Sequence, residues 1–117
     1  MLTQIHRFHG HGSLRYVYKN GEAVRSRLIT VKYTKNPHRA HSRFAVVVSK
    51  KVLKSAVGRN RIRRRVYEVI RHELPHLTSA HDVAVMIFSS EVRTMSYEEL
   101  ETLLRQLFAQ AGLYKDA

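Results

Sequence analysis

RFAVVVSKKVLKSAVGRNRIRRRVYEVIRHELPHLTSAHDVAVMIF, residues 43–88, is the stretch that decides the fold. It opens and closes on apolar runs of strand length, Arg43–Ser49 (RFAVVVS) and Asp82–Phe88 (DVAVMIF), rich in β-branched residues as buried strands are. Between them Ile62, Val66, Val69, Ile70 and Leu74 recur at the helical period and form one apolar stripe over Ser55–Leu74. Pro75 stops that helix, because its ring cannot continue the hydrogen-bond ladder. A strand, a helix and a strand in this order make a βαβ unit, so part of the sheet is expected to be parallel.

Working outward, a short helix is expected from an N-cap at Ser13 through Leu14, Val17 and Tyr18, stopping at Asn20-Gly21. Ala23–Thr34 reads as one strand, followed by a turn at Asn36-Pro37-His38. On the far side, Ser96 and Glu99 form a capping box, and Leu100, Leu103, Leu104, Leu107, Phe108 and Ala111 make the buried stripe of a last helix that Gly112 ends. The expected order is α-β-β-α-β-α, a single-domain α/β (α+β) sandwich over residues 1–117 with a mixed sheet. Met1–Gly12 reads as a polar, flexible leader. Its His6, His9 and His11 could take a divalent metal, but the adjoining Gly10 and Gly12 argue against an evolved site.

The chain has no cysteine, which removes disulfides and thiolate metal sites and fits a reducing, cytoplasmic setting. No segment approaches the roughly 20 apolar residues of a membrane helix. A formal charge of +12 implies a polyanionic partner, most often nucleic acid. The charge is uneven: residues 1–76 carry 18 Lys and Arg against three Asp and Glu, and the remainder carries three against six. The plainer alternative is a generally basic surface.

On the helix, the stripe leaves Asn60, Arg64, Tyr67 and Arg71 on the opposite face, Arg61 and Arg65 along one edge and Arg63 along the other. This arrangement strains the helix. Arg61 and Arg65 repel at i, i+4. Lys54, Arg59 and Arg61 crowd an N-terminus whose dipole disfavours cations, and Gly58 costs about 0.5–1 kcal/mol relative to alanine. Phosphate binding is the natural compensation, since the planar arginine fork can take two oxygens at once. The alternative is a solvated charged face.

The run Ser49-Lys50-Lys51, then Ala56-Val57-Gly58-Arg59-Asn60-Arg61, resembles the signature of bacterial ribonuclease P proteins. RYVYKNGEAV near the start and YEELETLLRQLF near the end resemble that family's first and last helices, in the same order. The resemblance implies a ribosomal protein S5 domain 2-like fold with a left-handed βαβ crossover. It also implies a role beside a catalytic RNA in maturing tRNA 5′ ends. Arg59, Asn60, Arg61, Arg63, Arg64 and Arg65 would contact ribonuclease P RNA, with Lys50, Lys51 and Lys54 extending that surface. Leu14, Tyr18, Lys32 and Ser49 would line a cleft for the 5′ leader of precursor tRNA. Leu14 stands where the family has phenylalanine, Lys32 where tyrosine is expected, and Gly58 where a bulkier residue is usual.

A protein nuclease needs an acid–base pair or carboxylates that hold metal ions. The acidic residues here are scattered, apart from Glu98, Glu99 and Glu101, which suit the start of a helix. No catalytic residue is therefore assigned to the protein. The resemblance places the chemistry in the RNA subunit and its magnesium ions, with no membrane, DNA or obligate protein partner. Two rivals have the same composition: a basic ribosome-associated binding module, and a DNA-binding protein with the basic helix in a groove. A nearly uniform arginine face suits phosphates better than base edges.

Overall fold

Ser55 starts the long helix because its hydroxyl accepts the Gly58 amide at 3.1 Å, and Leu74 closes it by donating its amide to the Ile70 carbonyl. The computed structural model describes residues 11–36, 41–78 and 80–115, with only the backbone for 11–13. Its helices are α1 (His11–Asn20), α2 (Ala56–Glu73) and α3 (Tyr97–Gln110). Its strands are β1 (Glu22–Arg25), β2 (Ile29–Lys35), β3 (Arg43–Val48) and β4 (His81–Ile87), in sheet order β1-β2-β4-β3. β3 and β4, which flank α2, pair in parallel as the βαβ reading requires, and the other two pairings are antiparallel. The result is a mixed α+β single domain; residues 1–10 of the expected leader, with His6 and His9, lie outside the described residues, whereas His11 and Gly12, expected in that leader, form the start of α1.

Two boundaries differ from expectation. The single strand expected over 23–34 is a hairpin, because Ser26 turns the chain. Its amide donates to the Ile29 carbonyl at 2.9 Å, its hydroxyl donates to the same oxygen at 2.8 Å, and that hydroxyl accepts the Ile29 amide at 3.1 Å. The other concerns α1, which starts at His11, so Ser13 lies inside its first turn rather than capping it. Serine is tolerated there, and cap preference alone does not set a helix start. Beyond α2, Pro75 does not simply end the helix but sits in a 3-10 turn, Leu74–His76.

Alternation along the strands assigns the two faces of the sheet. Val31, Phe44, Val46, Val83 and Val85 point into the main core, where α2 covers β3 and α3 covers β1 and β2. Phe44 and Phe108 meet there as a tilted ring pair 6.4 Å apart, a favourable aromatic geometry. Ser96 caps α3 by accepting the Glu99 amide at 3.1 Å, and Gly112, at φ 71°, supplies the left-handed residue that ends it. The opposite face carries α1, whose Val17 is fully buried over β2 and β4, apart from the main cluster. Gly21 is required at its end: a Cβ there would lie 2.5 Å from the Val17 carbonyl oxygen and 2.9 Å from that of Tyr33.

Three buried charges, in two clusters, fasten the periphery. Arg43 pairs bidentately with Asp82 at 2.8 and 2.9 Å across β3 and β4. Glu73, at the end of α2, accepts from Tyr114 at 2.7 Å and pairs with Arg105 at 3.2 Å, tying the C-terminal segment to the helices. Burial pushes the Glu73 carboxyl up, but the hydrogen bonds from Tyr114 and Arg105 outweigh it and hold it below the usual range. The Tyr114 hydroxyl is driven far upward by burial and by this carboxylate.

Candidate nucleic-acid interface

The arginines of α2 divide into two sets that the sequence pattern treats alike. Arg61 and Arg64 are exposed and make no hydrogen bond or ion pair among the described residues. Lys50, Lys51 and Lys54 are exposed on the preceding loop, beside exposed Ser49. The other arginines are occupied. Arg59 is half-buried and donates to the carbonyls of Leu53 and Lys54 at 2.9 and 2.7 Å, bracing the loop against the first turn. Arg65 reaches the segment after β4 and donates to the carbonyls of Val92 (2.7 Å), Arg93 (2.9 Å) and Met95. Arg63 donates to Asn60 Oδ1 at 3.1 Å, which leaves both on the surface as a linked pair.

Three readings change as a consequence. Arg65 is spent on main-chain oxygens, whose dipoles offset part of the cost of placing its charge beside Arg61. Gly58 has a packing cause, since a Cβ there would sit 2.6 Å from Leu53 Cδ2 and 3.3 Å from Arg93 Nη1. Tyr67, expected on the outer face, is buried, and its hydroxyl accepts the Val46 amide at 3.3 Å. Because β3 is a sheet edge, that hydroxyl occupies a donor the ladder leaves open.

On the other face of the sheet, α1 leaves a groove beside β3. Its floor is half-buried Ala45, Val47 and Met86, and half-buried Leu14 and Tyr18 come from α1. The strand register puts Lys32 opposite Ala84, on the face that α1 covers. Lys32 does not project freely. Its amine donates to the Tyr18 carbonyl at 3.2 Å and lies 5.7 Å from the centre of that ring, a cation at a helix C-terminus. Burial pushes the Tyr18 hydroxyl up. Thus Tyr18 and Lys32 are brought together, and Ser49 continues the same alternation just beyond β3. Phe88 does so beyond β4 and is 54% exposed. Sequence reading placed Phe88 only at the end of a buried strand. Counting every second residue from Ala84 would have put it on the groove side.

Between α2 and α3 lies a second aromatic position. An open notch of about 390 Å³ is lined by Arg64, Arg65, Glu68 and Tyr97. The Arg71 guanidinium bonds Glu68 and holds its carboxyl below the usual range. Burial, together with Glu101 and Glu68, pushes the Tyr97 hydroxyl up. Nothing local in the sequence marks Tyr97, whose position at the start of α3 reads only as helix context. Arg93 is likewise a new cation here, bordering Arg61 and Arg65. Among the described residues no helix is long and apolar enough to cross a membrane.

Comparison with known proteins points one way. A family model described as ribonuclease P matches residues 2–112. The ribonuclease P protein component of Synechocystis is 34% identical over 97 residues, covering 83% of this chain and 77% of that one. That of Microcystis aeruginosa is 31% identical and covers 96% and 95%. Among solved structures, the ribonuclease P protein of Staphylococcus aureus superposes with a TM-score of 0.83 at 25% identity, over 94% of this chain and 98% of that one. The Thermotoga maritima protein, at 24% identity and a TM-score of 0.75, shares the fold.

Proposed function

The chain belongs to the ribonuclease P protein family, and from that premise we propose that it is the protein component of a ribonuclease P ribonucleoprotein that matures tRNA 5′ ends. The observation that carries this reading is the pair of unoccupied arginines, Arg61 and Arg64, on the outside of α2. With Lys50, Lys51 and Lys54 they form a cationic surface to which the phosphates of the catalytic RNA bind. Asn60 and Arg63 extend it toward β3. The groove between α1 and β3 takes the single-stranded 5′ leader of precursor tRNA, with Tyr18 and Phe88 as apolar surfaces for bases and Ser49 and the loop lysines beside the backbone. β3 has the groove on one face and α2 on the other, so one strand lies between the two RNA surfaces.

The reaction itself is assigned to the RNA and the magnesium ions it holds. Among the described residues, the buried carboxylates are already committed, Asp82 to Arg43 and Glu73 to Arg105 and Tyr114. The protein supplies charge screening between two polyanions and a grip on the leader. A cytoplasmic site of action accompanies that role.

The test is a reconstitution. Purified protein, a bacterial ribonuclease P RNA and labelled precursor tRNA are combined at a magnesium concentration too low for the RNA alone. Correct 5′ cleavage is expected only with both components. Cleavage by the protein without RNA, or no stimulation by the protein, would overturn the proposal.

A further inference from the structure

The notch between α2 and α3 differs from the rest of the cationic face because it contains a partly exposed aromatic ring. Tyr97 is 37% exposed, and its hydroxyl makes no hydrogen bond among the described residues. Facing it is Arg64, equally without a partner. The other two walls are fixed: Arg65 by its three carbonyls, Glu68 by Arg71 and by His72 at 3.2 Å. A ring and a free guanidinium flanked by two engaged side chains make an open notch. At about 390 Å³ it lies near the lower end of the roughly 300–1,000 Å³ range of small-ligand pockets, too small to admit a duplex.

We propose that this notch binds one unpaired nucleobase of the RNA that lies across α2, with the base stacked on Tyr97 and its phosphate on Arg64. The proposal rests on the reading of α2 as the RNA-facing helix and adds a base contact to its phosphate contacts. The charges fix the orientation. Glu98, Glu99 and Glu101 follow Tyr97 on α3 and turn the backbone away from that side, whereas Arg61, Arg64 and Arg93 draw it toward α2. Glu68 repels phosphate and accepts from the N–H donors on a base edge. Stacking on an exposed aromatic tolerates any base and contributes through its ring, not through charge.

The chain contains no tryptophan, so Tyr97→Trp introduces a single indole fluorophore at the notch. Titrating this variant with a bacterial ribonuclease P RNA, binding being followed independently by filter retention of the labelled RNA, should quench its emission in step with saturation. Emission unchanged at saturation overturns the proposed stack while leaving RNA binding by α2 intact. Absence of retention would overturn the RNA-facing reading and this inference together. In parallel, Tyr97→Ala should weaken binding by roughly five- to 150-fold with the salt dependence unchanged. Tyr97→Phe should bind like the parent, and Arg64→Ala should lower the salt slope. Wild-type affinity for Tyr97→Ala, or an equal loss for Tyr97→Phe, would overturn it.

Discussion

Arg64 and Arg65 are neighbours in sequence and carry the same group, yet they belong to different parts of the molecule. Arg64 ends in solvent with no partner among the described residues. Arg65 ends on three carbonyls of the segment that leads from β4 to α3. The same division separates Arg61 from Arg59, which braces the loop before α2. A run of arginines therefore cannot be counted as a run of phosphate contacts. Its inward members hold the helix where its outward members can be used, and the two sets should respond to mutation in different observables.

The largest expected effect is on the inward side. Arg65→Ala leaves three carbonyls without their charged donor and should cost about 2–3 kcal/mol of stability, allowing for partial exposure. Urea unfolding measures it. Arg65→Lys should be nearly as damaging, since a point charge cannot span three acceptors as a planar fork does. Neither change should alter the salt slope of RNA binding once the protein is folded. A stable Arg65→Ala that binds RNA with a reduced slope would erase the distinction between the two sets.

The outward pair should behave oppositely. Arg61→Ala with Arg64→Ala should leave stability within about 0.5 kcal/mol of the parent. The double variant should lose about 1–2 kcal/mol of RNA binding, and the slope of log affinity against log salt should fall by roughly 1.4–1.8 for two phosphate contacts. An unchanged slope would mean that these arginines face solvent rather than RNA.

What the sequence made legible follows the range of each interaction. Local signals were sound in part: Ser96 caps α3, Gly112 takes the left-handed turn and the βαβ unit pairs in parallel, whereas Ser13, expected to cap α1, lies inside it. Lys32 was placed by resemblance alone, and the register shows that it lies opposite Ala84. The hairpin at Ser26 was missed because apolar residues continue on both sides of a turn made by one hydroxyl. The two classes of arginine were not separable, because the carbonyls that claim Arg65 lie 27 to 30 residues away. Lys32 was read as facing the groove, and only the approach of α1 shows that its amine is drawn to the Tyr18 carbonyl. Tyr97 acquires meaning only when α3 is laid beside α2.

Tyr67 provides the smallest and most discriminating test, because it is where a sequence-based face assignment failed. On an ideal wheel it shares a face with Arg64 and Arg71, yet it is 6% exposed and accepts the Val46 amide. At 3.3 Å that bond is long, so Tyr67→Phe should cost only about 0.5–1 kcal/mol, at the weak end for a buried hydrogen bond. The consequence should be local: amide exchange at Val46 should accelerate relative to Val85, its neighbour inside the sheet, while the salt slope of RNA binding stays unchanged. Equal acceleration at both positions would mean that the ring, rather than the hydroxyl, protects the edge. A fall in the slope would put Tyr67 among the RNA-facing residues, and the division of α2 into an inward and an outward side would have to be redrawn through it.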